Sequence, residues 1–179
     1  QTHIKCDVPF GCLLSGGLDS SLVAAMTATL LPGHLPLHTF TIGLKDCEDF
    51  EYAEEVSKYI GSEHHAFVYT LEEGLAAIPE VIRHIETFDV TTVRSSTPQY
   101  LLAKEIQKMG FKMVLSGEGA DEAWGGYAYF HYAPSVQAFQ QEIQTKLNEL
   151  HLYDCLRTNK SMAAFSIECR VPFLDRSFL

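Results

Sequence analysis

FGCLLSGGLDSS, residues 10 to 21, is an apolar run that breaks on two glycines and restarts with helical spacing. The unbroken apolar segment predicts a buried strand over Phe10–Leu14, and the periodicity after it predicts a helix over Ser20–Leu31. The turn between them carries the chemistry. Gly16 and Gly17 lack a Cβ, so the backbone can take positive φ and let its N–H groups approach a bulky anion closely. The following helix aims the positive end of its dipole at the same place, which suits a polyphosphate. Ser15, Ser20 and Ser21 add hydroxyl donors. Asp19 would repel phosphate unless a divalent cation such as Mg²⁺ lies between them.

No lysine follows the glycines as in GxxxxGK[ST], and the glycines are adjacent, unlike those of GxGxxG. SGGLDSS instead resembles the SGGxDS pyrophosphate loop of the PP-loop ATP pyrophosphatases, which split ATP between its α and β phosphates. An ordinary glycine turn between a strand and a helix is the plain alternative.

Outward from that turn, the pattern of strand then helix repeats. Leu37–Leu44 is rich in strand formers, Asp49–Ile60 has helical spacing with Gly61 as its stop, and His65–Thr70 predicts a third strand. Thr70 followed by Glu73 is a capping box for a helix through Ile78, Ile82 and Ile85, which Pro79 bends or splits. The hydroxyl-rich stretch Glu86–Ser96 reads as a loop, with Thr97-Pro98 as N-cap and first residue of the next helix, ending at Gly110. Lys112–Leu115 predicts a fourth strand running into a second glycine turn, SGEGADEAWGG, from Ser116 to Gly126. Pro134–Leu156 reads as a long helical region with a solvated charged face, and Arg170, isolated among apolar residues, calls for a carboxylate or phosphate partner. These signals predict an α/β fold: a mostly parallel sheet of about five strands with helices on both faces and a helical C-terminal portion. Ligands of such sheets lie beyond the carboxyl ends of the strands, which would bring both glycine turns and Ile42 to one crevice.

The chain of 179 residues is one domain's worth, 46% hydrophobic and 20% charged. No apolar run is long enough to span a membrane. A formal charge of −10 argues against nucleic acid and anionic lipid as partners. Five cysteines without CxxC spacing, an odd number, read as reduced thiols of a cytoplasmic protein. His34 and His38 are separated by the helix-breaking Pro36, and His64-His65 sits at a strand start, so neither pair reads as a metal site.

SGGLDSS, FDVTTVRSST, SGEGADE, GGYAYFHYAPS and ECRVPFLD occur in this order, and together they resemble the synthetase domain of glutamine-dependent asparagine synthetases over nearly the whole chain. That family activates aspartate with ATP and Mg²⁺ as β-aspartyl-AMP, releases pyrophosphate, and displaces AMP with ammonia drawn from glutamine by an N-terminal glutaminase domain. The resemblance places Leu13 and Ile42 at the adenosine, and Ser15, Gly16, Gly17, Asp19 and Ser20 on the pyrophosphate. Ser116 and Gly117 would touch the nucleotide too. Asp19 and Asp121 would share Mg²⁺, Glu118 would serve acyl-adenylate formation, and Thr91, Thr92 and Arg94 would hold aspartate or the intermediate. It also implies that residues 1–179 are a single ATP-binding domain and a fragment, with the family's N-terminal cysteine and downstream lysine outside it, and a homodimer is compatible with it.

Rival readings stay open at this point. A β-lactam synthetase shares the layout, other PP-loop enzymes act on tRNA, and a non-catalytic nucleotide-binding module is a different class altogether. Glu118 or Asp121 can be read as helix caps, Arg94 as a salt bridge to Glu86 or Asp89, and Arg170 as a tie between tail and core. The aromatic cluster Tyr127, Tyr129, Phe130, His131 and Tyr132 reads as packing rather than base stacking.

Overall fold

The computed structural model describes residues 2–33 and 35–179. Gln1 and the argument from His34 lie outside the described residues. The elements are β1 (Phe10–Leu13), α1 (Leu18–Leu30), β2 (His38–Gly43), α2 (Asp49–Ile60), β3 (Glu63–Val68) and α3 (Leu71–Ile85), followed by α4 (Val90–Lys108), β4 (Met113–Leu115), α5 (Ala120–Trp124), α6 (Val136–Glu149), α7 (Asp154–Ala163) and β5 (Glu168–Arg170). The five strands form one sheet in the order β3-β2-β1-β4-β5. Every pairing is parallel.

Alternation along the central strands sorts their side chains onto two faces. Cys12 and Leu14 with Met113 and Leu115 join Val23 and Ala24 of α1 and Ala53 of α2 in one core. On the opposite face, Phe40 and Val114 meet Leu102, Ala103 and Ile106 of α4 and Met162 of α7. Helices thus cover both faces, as the apolar central strands require. Each fully buried Leu or Phe in these layers contributes on the order of 2 kcal/mol. No helix among the described residues is long and apolar enough to cross a membrane.

Several boundaries differ from the sequence expectation, each for a local reason. α1 begins at Leu18, two residues before the expected Ser20, because Gly17 is its N-cap. β3 begins at Glu63 because pairing with β2 already starts at His38 opposite Glu63. The capping box holds: Glu73 N–H donates to Thr70 Oγ1 at 3.1 Å and Thr70 N–H to Glu73 Oε2 at 2.8 Å, and α3 runs unbroken through Pro79.

The largest correction concerns α4. Its N-cap is Asp89, whose carboxylate accepts from Thr92 N–H and Thr92 Oγ1, both at 2.8 Å, so the expected loop is helical and Pro98 lies inside the helix. The helical region expected over Pro134–Leu156 is divided by a short 3₁₀ turn, Leu150–Leu152, into α6 and the start of α7. The fifth strand comes from the tail, where Glu168 to Arg170 pair with Met113 to Leu115.

Candidate active site

The chain builds β1, β2 and β3 outward in one direction and then returns to add β4 and β5 on the other side of β1. The carboxyl ends of β1 and β4 therefore flank the switch point, where an open parallel sheet leaves a crevice. A cleft of about 480 Å³ lies there, within the usual range for small-molecule sites. Leu13, Ser15, Gly17, Asp19, Ser20 and Ile42 line it from the first turn and β2. Ser116, Gly117, Glu118 and Asp121 line it from the second turn.

The two turns interlock. A Cβ on Gly117 would stand 2.8 Å from Ser20 N and 2.9 Å from the Asp19 carbonyl carbon, so only glycine lets the second turn seat on the start of α1. Gly16 has φ +84°, with the Tyr52 backbone against it, and stands behind the lining. Gly17 does not use that freedom and is extended at φ −68° and ψ 162°. As N-cap it brings no side chain, so none caps the first-turn N–H groups of α1.

Hydroxyls knit the first turn to itself. Ser15 Oγ lies 3.1 Å from Ser20 Oγ and accepts from Gly17 N–H at 3.3 Å, while Ser20 Oγ donates to Gly17 C=O at 3.1 Å. Ser21 does not join them; its Oγ is buried without a partner among the described residues. Burial, and then the nearby Asp121 carboxylate, raise Asp19 above the ordinary carboxylate range. Two carboxylates near enough to repel, on hard oxygen donors, are a fit for a divalent cation such as Mg²⁺.

The second turn is held from a distance. Glu118 is largely shielded, its side chain 13% exposed, with Oε1 accepting from Arg157 Nη2 at 2.8 Å and Oε2 from Thr158 Oγ1 at 2.7 Å. Burial raises its carboxyl, against the pull of Arg157 and Thr158. The N-cap of α5 is Gly119 and no side chain caps that helix, so neither Glu118 nor Asp121 serves as its cap. Arg157 also pairs with Asp154 and lines the cleft. Beside it, the hydroxyl of Tyr127 donates to the buried Glu122. Burial pushes Glu122 up to about 7, with Tyr127 drawing it down and Asp154 adding to the rise.

Thr91 and Thr92 line a second cavity of about 610 Å³, which shares Glu122, Tyr127 and Arg157 with the cleft. Arg94 is exposed on α4 and lines neither. Its alternative reading as a structural ion pair loses both partners, since Asp89 caps α4 and Glu86 pairs with Lys160. Arg170 bonds Glu168 and the carbonyls of His3 and Lys5, which ties the tail to the first residues. Among the aromatics, Tyr127, Tyr129 and Phe130 stack as packing, although Tyr127 also reaches the cleft. Arg157, Asp154 and Glu122 carry no individual signal in the sequence: Arg157 and Asp154 pair within α7, but Glu118, which Arg157 also binds, lies in a remote turn, and Glu122 falls inside SGEGADE, which the sequence marks as a glycine turn without singling out that residue.

A parallel sheet with its crevice at the switch point and two interlocked glycine turns on the crevice floor places the chain in the class of α/β domains that take their ligands at the carboxyl edge. The asparagine synthase family matches residues 1–138 and 133–179, and the chain belongs to that family. It is 53% identical over 184 residues to the glutamine-hydrolysing asparagine synthetase of Brassica oleracea, covering 99% of this chain and 31% of that protein. With asparagine synthetase 2 of Oryza sativa subsp. japonica it shares 54% over 185 residues, covering 99% and 31%. With asparagine synthetase B of Escherichia coli (strain K12) it shares 49% over 190 residues, covering 100% and 34%. The chain thus spans about a third of the length of these relatives. Among solved structures, a tRNA methyltransferase subunit from Methanocaldococcus jannaschii DSM overlays with a TM-score of 0.49 at 20% identity, over 94% of this chain and 70% of that one.

Proposed function

We propose that this domain carries out the ATP-dependent step of asparagine synthesis: it activates the side-chain carboxylate of aspartate as β-aspartyl-AMP with release of pyrophosphate, and ammonia then displaces AMP. The ammonia comes from glutamine through a glutaminase domain of the full-length protein, in the cytoplasm. The observation that carries the reading is the interlock of the two turns through Gly117, which sets Asp19 and Asp121 beside the start of α1 in one cleft.

In this reading Leu13 and Ile42 form the apolar seat of the adenosine, and the first-turn amides and hydroxyls of Ser15, Gly17 and Ser20 hold the phosphates, with Gly16 shaping the turn from behind and Ser116 and Gly117 against the nucleotide. Asp19 and Asp121 hold Mg²⁺. Bound there, Mg²⁺ would supply charge neutralisation to the phosphates, with Asp19 and Asp121 as the residues that hold it. Glu118, clamped by Arg157 and Thr158, keeps a fixed carboxylate at the edge of the cleft and orients aspartate attack through that clamp. Thr91 and Thr92 face the adjoining cavity, a place for the aspartate end, and Arg94 needs a shift of its exposed side chain to reach it.

Two measurements test this. Asp19→Asn should weaken ATP binding at least 10-fold with Mg²⁺ present and far less without it, read by calorimetry; equal loss in both conditions speaks against a shared metal. Glu118→Gln in the full-length protein should leave ATP affinity nearly intact and slow aspartate-dependent pyrophosphate release by about 10²-fold or more. Unchanged release in a folded variant removes Glu118 from the mechanism.

A further inference from the structure

At the opposite end of the sheet, the amino ends of β2 and β3 bring together His38, Glu63 and His65. Register explains it. His38 lies directly across from Glu63, and Phe40 across from His65, so the four side chains share one face of the parallel pair. The sequence had set His38 and His65 in unrelated pairs, 27 residues apart, and the strand register is what joins them.

The donor atoms converge. His38 Nδ1 is 3.0 Å from His65 Nε2. Glu63 presents one carboxylate oxygen to each of those same two nitrogens, Oε2 at 3.8 Å from His38 Nδ1 and Oε1 at 3.8 Å from His65 Nε2. A hydrogen bond between the two imidazoles accounts for the first distance, and the carboxylate stands within ion-pair distance of both nitrogens without hydrogen-bonding to either, so all three donors face one point. Three ligands around one first-row metal ion, each about 2.0–2.1 Å from it, stand roughly 3.3 Å apart in tetrahedral geometry, between the two separations found here.

We propose that His38 Nδ1, His65 Nε2 and a Glu63 carboxylate oxygen form a binding site for a first-row transition-metal dication of the Zn²⁺ type. Two imidazoles and one carboxylate are borderline donors that favour such ions over Mg²⁺ or Ca²⁺. The rings are pre-positioned: His38 and His65 stack with centroids 5.3 Å apart, Phe40 stacks on His65, and Phe111 meets His38 edge-on at 4.9 Å. Glu63, whose side chain is 56% exposed, closes the outer side and leaves room for a water ligand. The site is distinct from the nucleotide cleft. His38 starts β2 and Ile42 near its other end lines the cleft, a separation of about 13 Å along the strand. A bound ion would clamp β2 to β3, one of the two edge strands of the sheet.

The test is calorimetric titration of the chelator-stripped chain with Zn²⁺ in excess Mg²⁺, which occupies the hard carboxylates of the cleft. One equivalent of Zn²⁺ should bind at micromolar Kd or tighter and raise the thermal midpoint. His65→Gln and His38→Gln should each weaken binding at least 10-fold, and Glu63→Gln, on an exposed side chain that the fold does not need, several-fold. Mg·ATP affinity should stay the same in all of them. Failure of the wild-type chain to bind Zn²⁺, or equal Zn²⁺ affinity in wild type and Glu63→Gln together with either folded histidine variant, overturns the proposal. Because the readout is metal affinity, it stands or falls apart from the reading of the cleft.

Discussion

The two glycine turns face one cleft and are built in opposite ways. The first, Ser15 to Ser20, is stabilised by its own hydroxyls, with every side-chain hydrogen bond closing within five residues. The second, Ser116 to Asp121, takes its order from α7, through Arg157 and Thr158, 39 and 40 residues away from Glu118. A self-contained turn is a local solution that short sequence can specify. A turn whose carboxylate is buried against a remote guanidinium depends on the whole fold, and its energetics are correspondingly larger and more coupled.

The sharpest way to break this contrast is to remove the remote clamp. Arg157→Met leaves Glu118 buried with Thr158 alone and deprives Asp154 of its partner, so about 3 kcal/mol or more of stability should go, roughly 10 °C in thermal midpoint. A loss no greater than that of a single serine in the first turn would make the two turns equivalent.

A smaller effect sharpens the same point by pH. Glu122 titrates at about 7 in the folded protein, raised from 4.5, so between those values the folded state binds more protons than the unfolded chain. Stability contributed by this site therefore falls as pH rises through that window and remains lower above it. Glu122→Gln, still an acceptor for Tyr127, should remove a pH-dependent loss on the order of 2 kcal/mol, seen by comparing urea midpoints at pH 5 and pH 8. Parallel pH curves for the two proteins would show that burial near the second turn does not control its acids. The smallest effect belongs to the first turn. Ser20→Ala removes hydrogen bonds that water can replace at an exposed site and should cost about 1 kcal/mol or less in the same assay.

Legibility in the sequence follows the same division. SGGLDSS, the Gly61 stop and the Thr70–Glu73 capping box are local chemistry, and each falls within two residues of where it was read. The start of α4 was hidden because TTVRSST is rich in hydroxyl and β-branched residues, weak helix formers that packing between α3 and α7 holds in helical form. β5 is three residues long and has no periodicity to detect. At the cleft, residues on the glycine turns are legible; Asp154 falls in the stretch read as having a solvated charged face and Arg157 draws no reading at all, since nothing within one turn of α7 announces Glu118 as a neighbour.

Pro98, inside α4, gives that helix two mechanical halves. It has no N–H to return to the Arg94 carbonyl, so the backbone ladder is interrupted at one rung. On the far side, Leu102, Ala103 and Ile106 anchor the helix in the core; on the near side the buried residues are Thr92, Ser96 and Thr97, and Ser96 Oγ has no partner among the described residues. In hydrogen exchange this becomes a step in protection at residue 98, with the amides of Val93 to Thr97 exchanging through local opening and those of Leu102 to Lys108 only when the core comes apart. The segment carrying Thr91 and Thr92 lines the adjoining cavity and Pro98 lines the cleft, so uniform protection along α4 would show that the interrupted rung does not divide the helix.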